Sequence, residues 1–126
     1  MSRDKHTNAK KTIFWLVAVA LMVGCVRQPT IAEMDAADYG PEPADYQQIL
    51  KNHLEHDLFD PYSAIVDYGE KPWKRSLSRP FREPMFGWGG RITVNAKNRY
   101  GGYTGSKTYN YIIKNGAVLA FEEMRY

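Results

Sequence analysis

Apolar and polar positions are arranged in two different ways along this chain. From Thr12 to Gly24 no charged residue occurs, whereas beyond Cys25 apolar and polar residues alternate in short periods. The clearest period runs from Ala44 to Asp57, where Tyr46, Ile49, Leu50, His53 and Leu54 fall on one helical face. Asp45 and Gln48 have capping-box spacing, and Asp60-Pro61 ends the helix because proline disfavours helical geometry in the residue before it.

Strand-like patterns follow. Ser63 to Tyr68 reads as a strand, and Glu70 to Phe86, interrupted by Pro72, Pro80 and Pro84, reads as an irregular basic stretch. From Trp88 to Ala96 the period becomes two: Trp88, Ile92, Val94 and Ala96 share one face, and Arg91, Thr93, Asn95 and Lys97 the other. A wide glycine-containing connection is expected from Asn98 to Ser106, then a strand from Lys107 to Lys114. Asn115-Gly116 predicts a two-residue turn with positive φ at both positions, leading into a last strand from Ala117 to about Met124. An unbroken ladder pairs Ile113 with Val118, Tyr111 with Ala120 and Tyr109 with Glu122, and leaves open which face is core. The expected fold class is α+β: one amphipathic helix packed on an antiparallel sheet of three or four strands, over residues 44–126.

The amino-terminal run has a different purpose. Arg3, Lys5, Lys10 and Lys11 precede the apolar stretch, the order of a secretory signal peptide. As a helix, Thr12 to Gly24 spans only ~20 Å, short of a hydrocarbon core of roughly 30 Å, so a cleaved signal is expected rather than a permanent span. Leu21-Met22-Val23-Gly24-Cys25 resembles the lipobox of bacterial lipoproteins, with Met22 where Leu is usual. The resemblance implies cleavage after residue 24 and acylation of Cys25 by diacylglycerol and palmitate. Cys25 is the chain's one cysteine, and lipidation removes a thiol with no disulfide partner in an oxidising compartment. Val26 rather than Asp after the cysteine resembles lipoproteins sent to the outer membrane, so the expected address is its periplasmic face. Residues 25–43, with Pro29, Pro41 and Pro43 and no helical period, read as lipidated N-terminus and tether.

Export changes the charge picture. Without residues 1–24 the chain keeps 13 basic and 13 acidic residues, but residues 25–70 carry 10 acidic and 2 basic, and residues 71–126 carry 3 acidic and 11 basic. Such asymmetry either closes on itself or presents a basic patch to an anionic partner. Export also makes nucleic acid an unexpected partner.

Two further segments carry a resemblance. Asp60-Pro61-Tyr62-Ser63-Ala64 after an amphipathic helix, with Val94-Asn95-Ala96-Lys97-Asn98-Arg99-Tyr100-Gly101-Gly102-Tyr103-Thr104-Gly105, resembles a group of small proteobacterial lipoproteins of uncharacterised function, from about Tyr39 to Phe121. The resemblance implies a fold and an address, without an activity or catalytic residues.

Catalytic constellations are not evident. Glu122 and Glu123 point to opposite faces of a strand, and no serine lies in a Gly-x-Ser-x-Gly setting. His53, His56, Asp57 and Asp60 gather at the helix end, but the helical period already places His53 beside the apolar stripe, so no metal or cofactor is expected. Two binding candidates remain. One is the cation–aromatic stretch with Trp73, Lys74, Arg75, Arg79 and Arg82; the other is an edge formed by Asn95, Lys97, Tyr100, Tyr103, Thr104 and Lys107. The expectation is a non-enzymatic cell-envelope lipoprotein acting as an accessory or scaffold through contact with an envelope protein. The alternative is a periplasmic ligand-binding or inhibitor module recognising a glycan or an enzyme.

Overall fold

The structure, a computed structural model, describes residues 26–126; the expected signal peptide and Cys25 lie outside the described residues. Helix α1 spans Ile31–Ala36 and α2 spans Tyr46–Asp57, followed by a 3-10 turn at Pro61–Ser63. Strands β1 (Ile65–Asp67), β2 (Trp73–Leu77), β3 (Met85–Lys97), β4 (Tyr103–Lys114) and β5 (Ala117–Glu123) form one antiparallel sheet. The α+β class holds, but the sheet has five strands rather than three or four.

The extra strand is β2, inside the stretch read as irregular. Its prolines flank it instead of interrupting it: Pro72 precedes Trp73 and Pro80 follows Leu77, so no ladder amide is lost. β3 is long enough to pair with both short strands along one edge, β2 against Met85 to Gly89 and β1 against Thr93 to Asn95. Its other edge pairs with β4. The connection between β3 and β4 is confined to residues 98–102, shorter than the expected 98–106, because Tyr103 and Ser106 pair with Lys97 and Asn95. Register slips there: β4 gains one residue relative to β3, Gly105 adopts φ +95, and its amide donates to Asn95 Oδ1 at 3.2 Å. A side-chain acceptor thus serves an amide at the bulge.

The Asn115-Gly116 turn has the expected positive φ values, 52° and 77°. Val118 pairs with Ile113 as expected, but a bulge at Leu119 then shifts the ladder, so Tyr111 faces Phe121 and Tyr109 faces Glu123. That shift puts both Val118 and Phe121 on the helix side. The core face is therefore the one with Tyr109, Tyr111 and Ile113: Leu50 and Leu54 of α2 pack against Ile92, Val94, Tyr111 and Ile113. His53 lies against the Phe121 ring at 4.8 Å, with Nε2 3.1 Å from Asp57 Oδ2.

Capping is redistributed. Asp45 precedes α2 but its side chain makes no cap hydrogen bond: the Gln48 amide donates to Asp45 O at 3.0 Å, and the Gln48 side chain donates to Asn52 Oδ1 at 2.7 Å. The reciprocal capping box occurs at Thr30 and Glu33, starting α1 within the segment read as a tether without helix. The Thr30 amide, then Arg27, hold the Glu33 carboxyl below its usual range. Residues 38–43 then run along the helix side of the sheet. Trp88 Nε1 donates to Gly40 O at 3.0 Å, Tyr39 meets Phe86 edge-on, and Lys71 pairs with Glu42.

Tyr111 is wholly buried with its hydroxyl unpartnered, the ring lying over the bare Cα of Gly90. Burial, and then Tyr46, push its pKa from 10.0 up to about 12. Between those values the unfolded chain loses a proton the native state retains, so stability falls as pH rises through that window, by about 3 kcal/mol in all and by about half of that at pH 11. Tyr111→Phe is expected to remove this fall, and at neutral pH to leave stability unchanged or raise it by about 1 kcal/mol. Denaturant titrations at pH 8 and 11 check both statements; parallel losses in wild type and variant contradict them.

Candidate contact surface

Period-two geometry gives the sheet a second face, opposite α2. Trp73, Arg75 and Leu77 of β2 stand in register with Gly89, Gly87 and Met85 of β3. Arg91 and Thr93 continue the row on β3, opposite Asn110 and Thr108 of β4. Among the described residues no helix packs on this face, and its protein cover comes from its own side chains. Ile112 spreads over Gly87 and Gly89, where any Cβ would lie 2.6 Å and 3.3 Å from it, and is thereby buried without a covering layer.

Arg75 lies flat on this face. A Cβ on Gly89 would sit 3.1 Å from Arg75 Cδ, so the absent side chain is what lets the arginine cross β3. Its guanidinium donates to Gly90 O at 3.3 Å and Asn110 Oδ1 at 3.4 Å, and packs 5.3 Å from the Trp73 ring centroid. Burial, and then the neighbouring charge of Arg91, hold its pKa below the usual value. Neither arginine has a carboxylate within 4.0 Å among the described residues, so this face keeps unneutralised positive charge. Beside them a cavity of about 410 Å³ opens between Gly69, Glu70, Trp73, Arg91, Thr93 and Thr108. Trp73 is 46% exposed at its rim.

The sequence candidates do not form one site. Trp73 and Arg75 belong to the uncovered face. Lys74 points to the other side, over Tyr39 at 5.2 Å and Trp88 at 5.9 Å. Arg79 returns to the rim of the uncovered face, where its Nε donates to Glu122 Oε1 at 2.9 Å. Arg82 is exposed in the loop between β2 and β3.

At the other end of the sheet most of the proposed edge is engaged within the fold. Asn95 accepts from the Gly105 amide, Thr104 Oγ1 donates to Ala96 O at 3.2 Å, and Tyr103 OH donates to Ser63 O at 3.0 Å. Lys97 Nζ lies 5.2 Å from the Tyr103 ring, and Lys107 Nζ 3.7 Å from Glu123. Tyr100 alone of these projects freely, 96% exposed, from a loop tied by Asn98 Oδ1 to the Tyr100 and Gly102 amides.

Arg91 and Thr93 complete the uncovered face without having been singled out from the sequence. The signal was present, since both sit on the polar side of the β3 alternation; what was missing was β2, which brings Trp73 and Arg75 beside them. Ion pairs close part of the charge asymmetry, with Lys71 on Glu42 and Lys114 on Asp38, and leave the rest outward. Among the described residues, no three metal-ligating side chains converge. No protein-family model, curated protein or solved structure matches the chain.

Proposed function

We propose that this chain is a cell-envelope lipoprotein with an accessory or scaffold role and no enzymatic activity, held at the periplasmic side of the outer membrane by lipid on Cys25. It acts by contact with an envelope protein, and the contact surface is the uncovered sheet face. The observation that carries the contact reading is the row of Trp73, Arg75 and Arg91 on a face without a covering layer. A partly exposed indole beside unpaired guanidiniums is the composition of an interface centre, where Trp and Arg contribute most per residue. Its net positive charge selects an acidic partner surface. The lipobox pattern at residues 21–25 supports the address.

Cross-linking in intact cells tests the reading. The wild-type chain is expected to retain a defined envelope protein, and the Trp73→Ala/Arg91→Glu double variant to lose it, about 2 kcal/mol or more being at stake at such a centre. Arg99→Glu, in the loop beyond β3, is expected to retain it. Equal recovery with all three proteins, or no specific partner with any, contradicts the proposal.

A further inference from the structure

One end of the sheet gathers exposed apolar side chains next to the residue proposed to carry lipid. The described chain begins at Val26, one residue after Cys25, and Val26 is 44% exposed. Arg27 NH1 donates to Glu83 Oε2 at 3.0 Å, and Gln28 Oε1 accepts from Ser78 Oγ at 3.3 Å. Both stems of the loop joining β2 to β3 are therefore fastened to the first residues after Cys25. At the tip of that loop the Arg82 amide donates to Arg79 O at 3.4 Å, closing a turn with Pro80 and Phe81 as its central residues.

Phe81 has φ 58°, a value its β-carbon disfavours and one that glycine or asparagine adopts at little cost in this turn position. The ring is not drawn there by core packing, since Phe81 is 79% exposed. Ile31, in the first turn of α1, is 75% exposed, and α1 joins the same end because its Glu33 pairs with Arg27. Arg82 adds an exposed cation beside Phe81.

We infer that this end, with Phe81 at its tip and Val26 and Ile31 beside it, seats in the lipid interface of the membrane that holds Cys25. The inference rests on the proposed lipid anchor and adds an orientation to it. With the attachment fastened to this loop, the free reach of a tether is not available between residue 27 and the domain. Aromatic and aliphatic side chains enter the acyl boundary while arginine stays among the head groups, and such a patch adds to the hold of covalent acyl chains. The strands then rise from the bilayer. β3 has 13 residues, ~40 Å at about 3.3 Å each, which places Tyr100 far from the lipid and holds the uncovered face upright beside it.

Because acylation uses the one native cysteine, a second cysteine can be labelled selectively. The full chain, isolated from membranes and reconstituted into phosphatidylethanolamine–phosphatidylglycerol vesicles, is labelled with an environment-sensitive NBD dye at Arg82→Cys or at Tyr100→Cys. The dye at 82 is expected to brighten severalfold and shift to the blue on reconstitution, the dye at 100 to stay as in water, and Phe81→Asp to abolish the change at 82. Vesicle-bound protein with a water-like dye at 82, or with equal shifts at both positions, overturns the seating while leaving the anchor in place. Protein that does not stay with the vesicles overturns the anchor, and the seating with it.

Discussion

Gly89→Ala is expected to destabilise the domain by about 3 kcal/mol or more, a large part of the stability of a domain this size. The new Cβ would lie 2.3 Å from the Tyr111 carbonyl oxygen, a backbone atom fixed in the β3–β4 ladder, and 3.1 Å from Arg75 Cδ. The arginine can swing away, but the carbonyl can retreat only by opening the central strand pair. Gly102→Ala is the matched control: the nearest contact of its Cβ is Asn98 Oδ1 at 3.9 Å, and a change within about 0.5 kcal/mol is expected. Urea midpoints followed by circular dichroism separate the two. Equal midpoints for both variants contradict the close packing assigned to Gly89.

Cys25→Ala is expected to move the protein from the membrane fraction to the released fraction, the largest functional change of any single substitution considered. The proposed anchor places all the covalent acyl chains on this one thiol. The exposed residues Val26, Ile31 and Phe81 offer only a small apolar patch in its place. Burial contributes about 0.8 kcal/mol per methylene, so acyl chains outweigh three side chains by a wide margin. Alkaline carbonate extraction followed by immunoblotting reads the outcome. A variant that stays with the membrane although residues 1–24 have been removed from it contradicts the anchor as the means of attachment.

Local periodicity made α2, the β3 alternation and the Asn115-Gly116 turn legible, because each is decided by residues within a few positions of one another. The rest depended on partners distant in sequence. β2 reads as loop between its prolines and becomes a strand because Met85 to Gly89 offers a free edge. The bulge at Leu119 reverses the pairing expected for Ala120 and Phe121, since packing Phe121 against His53 and Tyr109 takes precedence over an unbroken ladder. Helix α1 was hidden by its length of six residues, too short to show a period, although Thr30 and Glu33 carried its capping signature. The same division holds for the candidate surface. Trp73 and Arg75 were visible as a cation–aromatic stretch, while Arg91 and Thr93 joined them only through strand pairing. Asn95, Tyr103 and Thr104 looked available by type, yet the bulge and the 3-10 turn use their polar atoms.

The account turns on the chemical state of Cys25, and the intact mass of the protein isolated from its own membranes tests it most directly. The predicted result is a chain beginning at Cys25, heavier than its peptide mass by a diacylglyceryl group and acyl chains, and an amino-terminal peptide that loses its ester-linked acyl chains on mild alkaline hydrolysis while keeping the thioether-linked glyceryl group. A chain retaining residues 1–24, or one beginning at residue 25 with an unmodified thiol, would contradict the envelope lipoprotein reading and the membrane orientation built on it.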